Sequence, residues 1–312
     1  MRLIFVLFAL FVAVKTNVAQ INIVQKQQPH FVFTWDNDVL FYTDYYYSQG
    51  LFFRLSIASL DKNPINYLLL SFPNSTQSYS ISVIQQMYTP LEIRDSVVRI
   101  DDRPYAGTLY IRSEKLSINN DKRIILRSSL DLGVRGQYSF AQYAQYYYHK
   151  IGHIVLPQGW QYQMSDLPVI NYNLAAIKQI YYYHNSIEIN ALSEFRLGTM
   201  FTDFALGASA KFGLFDNVFS ENKRNKIELS AELAASIRYV AYNGTMQGEL
   251  KNNPNIHEIK RPYIETLVGS YSAIAAGRYR NFEIDFEWVF ITPEFEMGKE
   301  HRYNRLSLCF YF

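Results

Sequence analysis

The 312-residue sequence has a single cysteine, Cys309, so no internal disulfide can form. A lone thiol near the chain end reads as a small packing residue rather than a nucleophile. Neither sign of charge dominates. The 30 Lys and Arg against 28 Asp and Glu leave a net charge of +2, which gives no polyelectrolyte signal for nucleic acid. No linker, repeat array or low-complexity tract divides the chain. Apolar runs long enough for a transmembrane helix are also missing. The longest, residues 3–14, lies between Arg2 and Ala19 and reads as the core of a signal peptide over 1–19. Residues 68–72 are apolar but brief. The mature chain, 20–312, is therefore expected either to be secreted or to enter a membrane as strands.

What the sequence does have is aromatic residues and alternation. There are 26 Tyr and 22 Phe, a surplus that suits interfacial girdles. Ile227, Leu229, Ala231, Leu233, Ala235 and Ile237 alternate with Glu228, Ser230, Glu232, Ser236 and Arg238. Phe282, Ile284, Phe286 and Trp288 alternate with Glu283, Asp285 and Glu287. Period two sustained this long means strands, and the runs match tilted transmembrane strands of roughly ten residues better than the shorter strands of a soluble sandwich. The acidic face then becomes a lumen. The sequence closes on Leu306, Leu308, Phe310 and Phe312, all on one face, like the C-terminal insertion signal of bacterial outer-membrane barrels. The expected fold is an all-β transmembrane antiparallel barrel of about twelve strands. The strands are placed near 30–41, 46–60, 77–89, 104–118, 122–136, 169–183, 186–199, 202–214, 226–242, 260–273, 277–291 and 303–312.

One segment breaks the alternation. YSFAQYAQYYYHK (138–150) lacks Pro and Gly, and its Gln145 and His149 stand at i and i+4, on one face of a helix. It is expected to be a short helix in an extracellular loop. With both termini on the periplasmic side, the loops after strands one, three and five all reach the outer rim. They carry Asn37, Asp38, Thr43 and Asp44, then Tyr88 through Gly107, then Gln145, His149 and Trp160. On strand one, Phe31, Phe33 and Trp35 should face lipid, and Asn37 extends that face with a polar group.

WDNDVLFYTDYYYSQG, YTP, DDRPYAGTLY, QYYYHKIG and PQGWQYQM occur in that order, and together with the closing TPEFEMGKEHRYNRLSLCFYF they resemble the lipid A 3′-O-deacylases of the outer membrane. The resemblance spans nearly the whole mature chain. It implies a twelve-stranded barrel with a calcium-dependent esterase site between the barrel wall and a loop helix, acting on lipopolysaccharide in the outer leaflet. By similarity, His149 would be the general base, with Gln145 beside it. Asn37, Asp38 and Ser48 would be the polar residues near the barrel's start, Ser48 standing where Thr is common, and Asp38 a calcium ligand. Such a barrel would be inserted by the outer-membrane assembly machinery. Histidine suits proton abstraction near neutral pH, and a bound cation suits the developing oxyanion.

Two departures accompany the resemblance. Members usually carry an acid between the histidine and the Gly-Trp pair, where this chain has Lys150 to Pro157 and no carboxylate. Asp166 is the nearest candidate further along. A Lys that can follow the YTP motif is also missing, with Arg94 the nearest cation, and Arg94, Arg99 and Arg103 are the candidates for contact with lipid A phosphates. The missing acid keeps open a second reading, a catalytically silent barrel that binds lipopolysaccharide or serves structurally. A third reading, a small pore, is disfavoured by the charge crowded into a narrow lumen.

Overall fold

Residues 28–100, 102–220, 225–249 and 258–312 are described by the computed structural model. The expected signal peptide lies outside them. The alternating segments form strands β1 (His30–Asn37), β2 (Tyr46–Ser56), β3 (Thr76–Thr89), β4 (Ala106–Asn119), β5 (Ile124–Arg135) and β6 (Leu167–Tyr183). The second half supplies β7 (Ile187–Gly198), β8 (Phe201–Leu214), β9 (Ile227–Asn243), β10 (Leu267–Tyr279), β11 (Phe282–Ile291) and β12 (His301–Tyr311). Each strand pairs with its chain neighbours, and β1 pairs antiparallel with β12, closing a barrel of these twelve strands among the described residues. Closure satisfies every strand edge, which lets strands cross hydrocarbon. Among the described residues no helix is long and apolar enough to do so.

The period-two pattern sorts side chains as expected. Glu228, Glu232, Glu283, Asp285 and Glu287 line the lumen. Phe282, Ile284, Trp288 and Phe310 are exposed on the outer wall. Several buried lumen charges are paired across strands, as burial favours. Arg305 Nε donates to Asp36 Oδ1 at 2.7 Å, and Arg112 Nε donates to Asp131 Oδ1 at 2.6 Å. Cys309 packs with Val32 and Tyr311. At the chain end, the Phe312 N–H bonds to the Pro29 carbonyl at 3.0 Å.

Four strands differ in their bounds from the sequence reading, among them β11, which starts at Phe282 rather than 277. β1 ends at Asn37 rather than near 41, because Val39–Phe41 turn into a 3-10 helix. β2 ends at Ser56, followed by a 3-10 helix at Ala58–Lys62. β10 runs over Leu267–Tyr279 rather than 260–273. The sequence reading leaves 274–276 between two strands, yet these residues and Gly277 pair within the sheet, Gly277 with Leu229 and Ile284. The chain reverses instead near Arg280, which takes a φ of 52°.

The expected loop helix is present as α1 (Ala141–Ile151). It follows β5, at the rim opposite the termini.

Candidate active site

Three loops at the outer rim build the site, and each is held by local chemistry. After β1, the Asn37 side chain accepts the Val39 N–H at 2.8 Å, starting the 3-10 turn. The buried Asp38 carboxylate accepts the Tyr45 N–H at 3.2 Å. This folds the loop back so that Asp44 points towards Ser48 and α1. Ser48 stands at the register shift between Tyr47 and Gln49, a bulge that re-aims a side chain. Its hydroxyl donates to Asp44 Oδ1 at 2.8 Å.

The second loop is a scaffold. Asp102 accepts the Leu91 N–H and the Arg103 N–H, each at 2.7 Å. Tyr105 packs at a tilt against Trp160 with centroids 4.9 Å apart. Gly107 leaves room for α1: a Cβ there would lie 2.2 Å from Ser139 Oγ and 2.4 Å from Ala141 Cβ. Gly159 gives Tyr105 the same clearance, since a Cβ there would lie 2.4 Å from the ring.

On α1, Gln145 and His149 share the buried face, as their spacing predicts. Trp160 Nε1 donates to Gln145 Oε1 at 2.7 Å, which turns the Gln145 amide nitrogen towards Asp44 Oδ1, 3.3 Å away. His149 Nδ1 lies 2.5 Å from the Val155 carbonyl oxygen. A carbonyl can only accept, so Nδ1 carries a proton, and in the neutral ring Nε2 keeps its lone pair. Nε2 faces Asp44 Oδ2 at 3.2 Å. Asp44 Oδ2 is buried without a hydrogen bond. Burial, and then the neighbouring Asp44 charge, push the Asp38 carboxyl up to about 8. Burial also raises Asp44, while Ser48, His149 and Gln145 oppose the shift.

Asn37, Asp38, Ser48, Gln145 and His149 are thus gathered around the β1–β2 loop and α1. Asp44 links Ser48, Gln145 and His149, and its charge bears on Asp38; in the sequence it is one member of a polar cluster with nothing to single it out but its position four residues before Ser48. The stretch lacking an acid supplies the Val155 carbonyl instead. Asp166 is held elsewhere, its Oδ1 accepting the Tyr138 N–H at 3.3 Å ahead of the helix.

The three arginines do not converge. Arg94 is exposed and paired with Glu92 at 2.6 Å. Arg99 pairs with Asp95 and lies 3.5 Å from Asp102. Arg103 is 1% exposed, turned inward to Glu294 at 2.6 Å and to Thr245, and stacked on Tyr88. Its guanidinium braces the loop from within and is out of reach of an external phosphate.

The sequence matches the model of the family described as outer membrane protein LpxR over residues 3–312. Among solved structures, LpxR from Salmonella typhimurium aligns with a TM-score of 0.74 at 17% identity, covering 91% of this chain and 100% of that one. At that identity the likeness speaks to fold. An outer membrane channel from Pseudomonas putida F1 aligns at TM-score 0.44 and 9% identity, over 96% of this chain and 100% of its own. The β domain of the Bordetella autotransporter BrkA gives TM-score 0.44 and 9% identity, over 92% and 100%. Both are too distant to inform the site. No curated protein sequence matches. A closed barrel with a helix folded over one rim, matched from end to end by one family model, places this chain in the outer membrane protein LpxR family, as a multi-pass protein of the bacterial outer membrane.

Proposed function

We propose that this protein is a lipid A deacylase that hydrolyses the 3′-linked acyloxyacyl ester in the outer leaflet. One observation carries the reading: a buried histidine, its ring fixed by a carbonyl on Nδ1, turns Nε2 to a half-buried carboxylate at 3.2 Å. In this reading His149 Nε2 takes a proton from water as the water attacks the acyl carbonyl, and Asp44 stabilises the resulting imidazolium. Gln145 and Ser48 hold Asp44 in place. The proton then passes to the leaving sugar oxygen.

Calcium is part of the proposal. Among the described residues no group of three or more His, Cys, Asp or Glu is arranged to hold a metal ion. The donors beside His149 are nevertheless oxygens, the kind calcium prefers. The buried Asp38 carboxyl has its proton affinity raised by burial and by the half-buried Asp44 carboxylate beside it, and Asp44 Oδ2 lacks a hydrogen-bond donor. These residues fit a divalent cation, with Asp38 and Asp44 as its protein ligands. Bound there, calcium would supply positive charge for the developing oxyanion.

The test is mass spectrometry of lipid A from cells expressing the protein. Wild type should yield lipid A lacking the 3′-linked acyl group, and His149→Ala should leave it intact, for a rate loss of about a hundredfold or more. Intact lipid A with assembled wild type, across calcium levels, would favour the silent barrel.

A further inference from the structure

The segment between β2 and β3, residues 57–75, does not stay in the periplasm as a loop. It climbs the outside of the barrel. Thr108, Tyr110 and Arg112 of β4 line the lumen, so by alternation Ser113, Lys115 and Ser117 point outward. Asp131 and Asn171 likewise line the lumen, which places Ser128 of β5 and Tyr172 of β6 on the outer wall.

A lysine and three serines on the lipid-facing wall of a barrel are costly unless covered. Here Lys115 and these serines are buried, and the covering segment takes their hydrogen bonds. Lys115 Nζ donates to the carbonyls of Asn66 at 2.6 Å and Leu69 at 2.8 Å. Ser128 Oγ accepts the Leu70 N–H at 3.1 Å, and Tyr172 Oη donates to the Leu68 carbonyl at 3.0 Å. Ser117 Oγ accepts the Phe72 N–H at 3.0 Å. Irregular backbone survives at membrane depth only when its polar groups are satisfied by protein, and here the wall satisfies them. On the far side the segment presents Tyr67, 93% exposed, with Leu68 at 63% and Leu70 at 54%. Ser128 is four residues into β5 from the periplasmic turn. At about 3.4 Å per residue and a usual tilt, that is roughly 10 Å above the rim.

We infer that residues 67–72 form a non-strand part of the membrane-facing wall, seated on the Lys115–Ser117–Ser128–Tyr172 cradle and contacting phospholipid acyl chains of the periplasmic leaflet. The charged Asp61 and Lys62 before it are exposed and lie on the aqueous side.

The test attaches a fluorophore to single cysteines in a Cys309→Ala background, with the barrel reconstituted in phosphatidylethanolamine–phosphatidylglycerol vesicles. Leu68→Cys is compared with Val83→Cys, an outward position on a strand, and with Asp61→Cys. The label at 68 should be quenched by chain-nitroxide lipid as strongly as the label at 83, and should resist aqueous iodide. Tyr172→Phe and Lys115→Met should each shift the label at 68 towards iodide while leaving 83 unchanged, in protein that keeps heat-modifiable migration. Iodide quenching at 68 equal to that at 61 would overturn the inference. So would shielding from both quenchers, which would mean that a protein, such as a second copy, covers the segment. An unaltered label at 68 in both variants would overturn the cradle.

Discussion

At the residue scale Asp44 and Asp38, both ligands of the proposed cation, differ in what else they do. Asp44 touches the imidazole, and Asn at that position would keep its shape while removing the charge that stabilises an imidazolium. Asp44→Asn should lower kcat about a hundredfold with the barrel still assembled. Steady-state kinetics on detergent-solubilised protein would show it, and near wild-type kcat would remove Asp44 from the mechanism. Asp38 carries the pH dependence. Its carboxyl ionises near 3.8 when unfolded but holds its proton to about 8 when folded. The folded state therefore binds the extra proton between those values, so stability should fall as pH rises through that window and level off above it. Denaturant midpoints across pH should show this slope in metal-free wild type and a flatter curve in Asp38→Asn. Added calcium should reduce the slope, because a cation favours the ionised form.

At the element scale, α1 is useful only where it lies against the wall, and Gly107 sets that distance. Gly107→Val would drive side-chain carbon into Ser139 and Ala141, displacing the start of the helix that carries Gln145 and His149. A displacement of about 1 Å can cost a hundredfold in rate. The expected result is strongly reduced activity with unchanged heat-modifiable migration, whereas full activity would show that the helix tolerates the shift. This scale also separates what is legible in the sequence from what is not. The Gln145–His149 spacing and the break in alternation are enough to place α1. Asp44 is harder to single out, because its role depends on a 3-10 turn and a bulge that bring it back towards a helix about a hundred residues later. Arg103 reads as a rim cation in the sequence. Only the fold shows its inward partners Glu294 and Thr245, which lie in other loops.

At the scale of the whole molecule, period two carries most of the fold. Strict alternation in β9 and β11 is enough by itself to assign the strand faces, because a one-residue slip would put Glu287 in lipid. The β10 boundary is the exception: the sequence reading breaks the chain at 274–276, where Ile274, Ala275 and Ala276 continue the pairing with β9 and β11. The outward serines of β4 and β5 are unreadable as covered, because their cover comes from a segment far away in sequence. Insertion belongs to this scale too. β12 carries outward Phe310 and the chain ends on exposed Phe312. Deleting Phe312, or changing it to Asp, should reduce the assembled fraction seen by heat-modifiable migration, and unchanged yield would count against a C-terminal signal. Water attack on an ester at the His149 site can be followed by incubating purified barrel with lipid A and calcium in ¹⁸O-water and weighing both products. One ¹⁸O should enter the released fatty acid and none the sugar, with no release by His149→Ala. Intact lipid A, label in the sugar, or full release by His149→Ala would contradict it.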